Sequence, residues 1–125
     1  MRGFDEAVLA QAARQKEVEF TTFGRRTGRE YRKIIWASTD GRRIFIRSGK
    51  GMARDWPKNL LAGGTGVLHL DGVDVPVRAR LIDDAAEARA VSQHHRAKYG
   101  DYVKPSAVGE PLTAVEQASF ELGPA

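Results

Sequence analysis

The amino-acid sequence predicts a mainly β architecture: a small six-stranded antiparallel barrel with peripheral helices. Three observations carry this. Six short runs rich in β-branched and aromatic residues are spread along the chain. Two of the gaps between them hold the dipeptides Asp40-Gly41 and Asp71-Gly72, which suit hairpin turns because both residue types tolerate positive φ. The longest helical pattern arrives late, just before the final strand, whereas a parallel sheet would need a helical crossover between most consecutive strands.

The elements follow in order. Phe4 to Arg14 places Phe4, Val8, Leu9 and Ala12 at near-helical spacing and predicts a short N-terminal helix. Val18 to Phe23 alternates and is a strand; Gly24 to Arg29 is a basic loop; Tyr31 to Ser38 is a second strand with an apolar centre at Ile34-Ile35-Trp36. After Asp40-Gly41, Arg43 to Ser48 alternates, with Ile44 and Ile46 on one face and Arg43, Phe45 and Arg47 on the other. Gly49 to Met52 is a loop, and Asp55 to Leu61 a short helix that tolerates Pro57 in its first turn and stops at Gly63-Gly64. Val67 to Leu70 and Val75 to Ile82 flank the second hairpin, with Pro76 suggesting an edge position or a strand start. Asp83 or Asp84 caps the longest helix, with Glu87 placed as in a capping box; Ala88, Val91, His95 and Tyr99 share one face, and Gly100 ends it. Asp101 to Pro111 is a loop, and Gln117 to Leu122 the last strand.

The 125 residues suit one domain, 1–125, with an N-terminal helical segment over 1–16, and can bury roughly two-thirds of their unfolded surface. No apolar run approaches the length of a transmembrane segment, and the acids within Met1 to Arg14 argue against a secretory signal. The chain has no cysteine, which excludes disulfides, thiol catalysis and zinc–thiolate sites and fits a cytoplasmic location. Net charge is +4, but its distribution says more: residues 24–58 hold 11 Lys and Arg against three acids, and the remainder is mildly acidic. A concentrated basic segment attracts an anion, whether nucleic acid, an acidic lipid surface or a phosphorylated or carboxylated small molecule; a solvated charged face is the plainer alternative.

Two stretches carry candidate binding chemistry. Gly24-Arg25-Arg26-Thr27-Gly28-Arg29 follows a strand; its glycines would let backbone N–H groups form an anion nest, and its arginines offer bidentate hydrogen bonds. It matches neither the Walker spacing nor the dinucleotide fingerprint, and a basic hairpin turn explains it equally well. Ser48-Gly49-Lys50-Gly51 precedes Trp56, which could stack on a flat ring or cap the core, and Asn59, which could bind a ligand or satisfy a loop. His69, His94 and His95 form no metal pattern, and the absence of GxSxG argues against hydrolase chemistry. Tyr99 and Tyr102, at the end of the long helix, either pack beneath it or line a pocket.

The order of these motifs, from Thr21-Thr22-Phe23-Gly24 through Asp40-Gly41, Ser48 to Gly51, Trp56 to Leu61, Arg78-Ala79-Arg80 and the helix ending at Tyr99, resembles the flavin/deazaflavin-dependent oxidoreductase superfamily. The resemblance spans about residues 18–122 and is to the deazaflavin-dependent nitroreductase branch or to a short relative of uncharacterised function within the same superfamily. It implies a split β-barrel shared with pyridoxamine-phosphate oxidases and FMN-binding proteins. It implies hydride transfer from coenzyme F-420 (a deazaflavin) or, alternatively, FMN, to a small nitro, quinone or enone acceptor. The deazaflavin is a polyanion with a phosphodiester and a polyglutamate tail, which the basic segment suits. Carried over, Arg25, Arg26, Thr27, Gly28 and Arg29 would meet the phosphate and tail, Lys50 and Gly51 the ring or its side chain, and Trp56 and Asn59 would shape the pocket. Tyr99 or Tyr102 would help position a substrate; no catalytic acid stands out and no metal is expected.

The loop departs from the family pattern. Met52 stands where a second glycine is common, Asp55 where a proline commonly precedes the tryptophan, and no proline follows the basic loop at Lys33-Ile34. These changes reshape the part nearest the ring and keep open a non-catalytic split-barrel protein binding a flavin, haem-like or lipid ligand. A nucleic-acid module would need exposed aromatics among the basic residues, whereas Phe23 and Tyr31 lie at strand ends; nucleic acid is not an expected partner. A homodimer and a monomer both fit the family.

Overall fold

The computed structural model describes residues 3–125, so the first two residues of the expected helical segment lie outside it. The elements are α1 (Glu6–Arg14), β1 (Val18–Phe23), β2 (Glu30–Thr39), β3 (Ile44–Arg47), α2 (Asp55–Gly63), β4 (Thr65–Leu70), β5 (Val73–Leu81), α3 (Ala85–Tyr99), α4 (Ala114–Gln117) and β6 (Ser119–Pro124). Short 3-10 turns at Gly51–Ala53 and Gly100–Tyr102 fill two loops. The six strands close into a barrel in the order β1-β2-β3-β6-β5-β4, every pair antiparallel.

Alternation builds the interior. Phe20, Ile35, Ala37, Ile44, Ile46, Leu68, Leu70, Val77, Phe120 and Leu122 point inward and are buried. Helix α1 lays Val8, Leu9 and Ala12 on this core, Phe4 joins them from just before the helix, and α2 inserts Trp56 and Leu60. Trp56 stands edge-on to Phe20, ring centroids 6.0 Å apart, which favours contact between the positive ring edge and the negative face. Gly66 on β4 makes room for Phe20: a Cβ there would lie 2.5 Å from the Phe20 ring and 2.8 Å from the Thr21 carbonyl.

Several local expectations change. At Asp40-Gly41 only Gly41 has positive φ. Asp40 acts through its carboxylate, which accepts the backbone N–H groups of Arg42 and Arg43 at 2.9 and 2.7 Å, so an Asx-type turn replaces a tight hairpin. Asp71 and Gly72 both take positive φ, as a two-residue hairpin requires. Pro76 sits inside β5 at neither an edge nor a start, since a closed barrel has no edge. Its carbonyl accepts the Ala125 N–H, so its ring nitrogen faces the point where the β5–β6 ladder ends at Val77–Pro124. Asp84 caps α3 through the Glu87 N–H, but Glu87 turns its carboxylate to Arg80, so the reciprocal half of the box is missing. The complete capping box is at Thr113 and Glu116, on the unforeseen helix α4, which delays the last strand to Ser119.

The largest change concerns β3, buried on both faces. Its side chains Phe45 and Arg47, on the face opposite Ile44 and Ile46, lie beneath α3. Phe45 joins Ile82, Ala88 and Val91 in a second apolar cluster and stacks on the His94 ring.

Candidate functional site

The basic loop joining β1 to β2 is held from within. Gly24 N–H donates to the Arg29 carbonyl at 2.7 Å, Gly28 N–H to the Gly24 carbonyl at 2.8 Å, and Arg29 N–H to the Thr27 hydroxyl at 3.2 Å. Asn59, buried on α2, accepts the Arg25 backbone N–H at 3.2 Å and Arg25 Nη1 at 2.7 Å on the same Oδ1. These four N–H groups are therefore spent on the loop itself, and the expected backbone nest is not formed by them. What the loop offers an anion is side-chain charge.

That charge faces a cavity of about 1020 Å³. Arg25, Arg26, Lys33, Lys50 and Arg54 line it, and Asp55 is the one acid among its lining residues. Asp55 stands 3.7 Å from Arg25 Nη2 and is mostly exposed, so it offsets little of the positive potential. Thr27, Trp56 and Asn59 also line the cavity. Ser48 contributes a buried hydroxyl without a hydrogen-bond partner.

A second cavity of about 460 Å³ adjoins the first, and Ile34, Gly49 and Trp56 line both. Trp36, Tyr102, Arg47 and His95 line this second space. Burial pushes the Arg47 guanidinium down to about 10 against the pull of Glu116, which leaves it charged at neutral pH. Burial, helped by the charges of Arg47 and Lys98, pushes His95 down to about 3 against the nearby backbone carbonyls of Trp36 and Val91, so the imidazole is neutral. Burial would raise the Glu116 carboxyl, but hydrogen bonds from Ser106, Thr113 and Ser92 outweigh it and hold it at about 2.

Six of the sequence-derived positions, Arg25, Arg26, Thr27, Lys50, Trp56 and Asn59, thus converge on one cavity. Gly28, Arg29 and Gly51 do not line it. Gly51 has φ +63° and is buried against Ala114, where a Cβ would sit 3.0 Å from the carbonyl oxygen; its lack of a side chain serves loop packing. Tyr102 is on the wall of the second cavity and largely exposed. Tyr99 lines neither: its ring stacks on Trp36 at 4.0 Å, and its hydroxyl donates to the Lys16 carbonyl and accepts the Ala37 N–H. Lys33 and Arg54 went unread, as did Arg47 and His95, and Ser48 was named only as part of its stretch. For His95 the signal was its place on the apolar face of α3 with Ala88 and Val91.

Elsewhere, His69 bridges Thr21 at 2.7 Å and Asp74 at 2.7 Å, but this line ties β1, β4 and β5 together and borders neither cavity. Among the described residues no group of three or more His, Asp or Glu side chains could hold a metal ion, and no helix is long and apolar enough to cross a membrane.

The fold and the site together define a six-stranded antiparallel β-barrel protein with a cationic cavity adjoining one lined by aromatic side chains. The chain belongs to the family described as uncharacterized proteins conserved in bacteria (DUF2255), whose model matches residues 8–122. No curated protein matches it by sequence. Solved structures share the fold. One, described as a domain-swapped dimer, is 18% identical over 86% of this chain and 80% of its own, with a TM-score of 0.64. A second, described as an F420 reductase, is 16% identical over 93% and 91%, with a TM-score of 0.58. A third, described as an F420-H2 dependent reductase, is 16% identical over 86% and 94%, with a TM-score of 0.54. The resemblance to the deazaflavin-dependent oxidoreductases therefore holds at the level of the barrel.

Proposed function

We propose that this protein is a reductase that uses coenzyme F-420, and that its cationic cavity holds the coenzyme. The observation that carries this reading is the convergence of five cationic side chains on one 1020 Å³ cavity against one acid. Such a wall suits a ligand with several negative charges and an extended shape. The unpartnered Ser48 hydroxyl supplies a hydrogen-bonding group that the protein leaves unused. Two solved structures with the same barrel are described as F420 reductases, which supports the choice of coenzyme.

When bound, the coenzyme supplies the hydride. The protein's part is to bind, orient and exclude water. Arg25 and Arg26 would meet the phosphodiester, with Arg25 fixed in advance by Asn59. Lys33, Lys50 and Arg54 extend the same wall toward a polyglutamate tail. Trp56, at the boundary of the two cavities and anchored in the core, would set the limit of a flat ring. The acceptor would occupy the second cavity, and a small nitro, quinone or enone compound is the expected class. We also place the protein in the cytoplasm, and admit a homodimer on the precedent of the dimeric neighbour.

The experiment is a titration of the purified protein with oxidised and reduced coenzyme F-420 and with FMN, followed by coenzyme fluorescence. Micromolar or tighter deazaflavin binding, weakened by salt and by Arg25→Ala with Arg26→Ala, and then turnover of a quinone or nitroarene, is the expected result. Preference for FMN changes the coenzyme. Binding without turnover of any acceptor returns the non-catalytic reading, and binding of neither overturns the proposal.

A further inference from the structure

The smaller cavity is lined by a buried cation with no carboxylate in contact. Arg47 is 6% exposed. Its Nε donates to the Ser119 hydroxyl and its Nη2 to the Ala88 carbonyl, each at 2.6 Å, and both acceptors are neutral. Among the described residues no carboxylate lies within 4.0 Å of it; Glu116 acts only from farther away. A guanidinium carries five N–H donors, so most of this fork is not engaged by the protein. Nearby, His95 is 2% exposed and shares Nδ1 with the Ser38 hydroxyl at 2.6 Å, while its buried Nε2 has no partner. Both residues line the 460 Å³ space, Lys104 joins them, and no Asp or Glu is among the lining residues. Trp36, Trp56 and Tyr102 give the wall flat aromatic surfaces, beside the aliphatic Ile34, Ile35, Val103 and Val115.

Removing a charge from water costs several kcal/mol unless a partner of opposite sign replaces the solvent. A neutral occupant would leave Arg47 with only the more distant Glu116 charge; an anion would add a partner in contact. We propose that the second cavity is a binding site for a small planar anion, an aromatic carboxylate of one or two rings. Its carboxylate meets the free face of the Arg47 fork and the His95 Nε2–H, and its ring lies among Trp36, Trp56 and Tyr102. The Ser38 hydroxyl then donates to His95 Nδ1, which leaves the proton on Nε2. The cavity volume falls within the usual range of small-molecule sites, about 300–1,000 Å³. Where such a molecule also bears a nitro, quinone or enone group, its service as electron acceptor rests on the reductase reading; that its carboxylate binds does not.

The chain has two tryptophans, and both stand on this wall, so intrinsic fluorescence reports occupancy without any coenzyme. Coenzyme-free protein is titrated with benzoate and phenylacetate, and with benzyl alcohol and benzylamine as neutral and cationic counterparts. The expected result is a saturable change with the carboxylates, at least about tenfold tighter than with benzyl alcohol and absent with benzylamine. Arg47→Met should weaken carboxylate binding about tenfold or more, and His95→Gln by a smaller factor. Should Arg47→Met fail to fold, the His95 Nε2 nitrogen shift in the unmutated protein decides: it must move with benzoate and not with benzyl alcohol. No saturable response to either carboxylate, or equal affinity for benzyl alcohol, overturns the proposal. Turnover of neutral acceptors with reduced coenzyme, without carboxylate binding, would sink this proposal and leave the reductase reading standing. Carboxylate binding by a protein that ignores the coenzyme would do the reverse.

Discussion

Asn59 and Arg25 meet at a single oxygen. Oδ1 of Asn59 accepts the Arg25 backbone N–H at 3.2 Å and its Nη1 at 2.7 Å, which fastens the β1–β2 loop to α2 and aims the guanidinium along the cavity wall. An arginine held in advance loses less rotamer freedom when an anion arrives. Asn59→Ala removes both bonds and should lower stability by about 1–2 kcal/mol. It should also weaken affinity for coenzyme F-420, or for pyrophosphate as a simple probe, about tenfold. Asn59→Asp keeps the acceptor and should preserve stability better, yet still weaken the anion by placing a negative charge beside Arg25. Urea unfolding and calorimetric titration of both variants check this.

The Phe20–Gly66 contact makes a sharp packing test. A methyl at position 66 would meet the Phe20 ring and the Thr21 carbonyl inside normal contact distance. Gly66→Ala should cost about 3 kcal/mol through overpacking. Phe20→Leu in the same chain should recover part of that loss but not all, because the carbonyl is backbone and cannot yield. A double-mutant cycle by chemical denaturation measures the coupling, and strictly additive losses would contradict the contact.

Acid sensitivity should begin well above the range of ordinary carboxylates. His95 titrates at about 3 in the folded protein against its ordinary 6.5, so below 6.5 the unfolded chain binds the extra proton. Its contribution is whole above pH 6.5 and is lost as pH falls toward 3, at up to about 1.4 kcal/mol per pH unit. Glu116, held at about 2 against 4.5, contributes above pH 4.5 and is lost toward 2. Between 6.5 and 4.5 His95 therefore acts alone of the two. Urea midpoints measured across that interval should fall with acid in the unmutated protein, and the slope should flatten in His95→Gln.

Tyr99 latches the chain between α1 and β1 to the barrel. Its hydroxyl donates to the Lys16 carbonyl at 2.7 Å while its ring stacks on Trp36. Tyr99→Phe keeps the stack and removes the hydroxyl, for an expected loss of about 1 kcal/mol. Amide exchange should quicken in α1, whose Ala12 carbonyl is also held by Lys98, more than in β4 and β5. Uniform change across the barrel would argue against a local latch.

The barrel was legible because alternation and turn chemistry are local. Phe20, Ile44 and Ile46 declare an inward face by spacing alone, and Asp71-Gly72 declares its hairpin by the φ values it tolerates. The cationic cavity was half legible for a similar reason: Arg25, Arg26 and Lys50 are close in sequence to glycines and fall on one side of the barrel. Alternation does not say what covers the other face of a strand. Spacing put Phe45 and Arg47 opposite Ile44 and Ile46 without saying what covers them; α3, distant in the chain, does. Gly51 read as a residue approaching a ligand, yet its neighbour is Ala114 on a helix too short to leave a periodic signal. Composition and spacing thus settled six strands, their hairpins and a concentration of positive charge. Only the tertiary structure decided that the buried Arg47 and His95 share a cavity with Trp36, because desolvation depends on which distant segments pack together and not on the residues themselves.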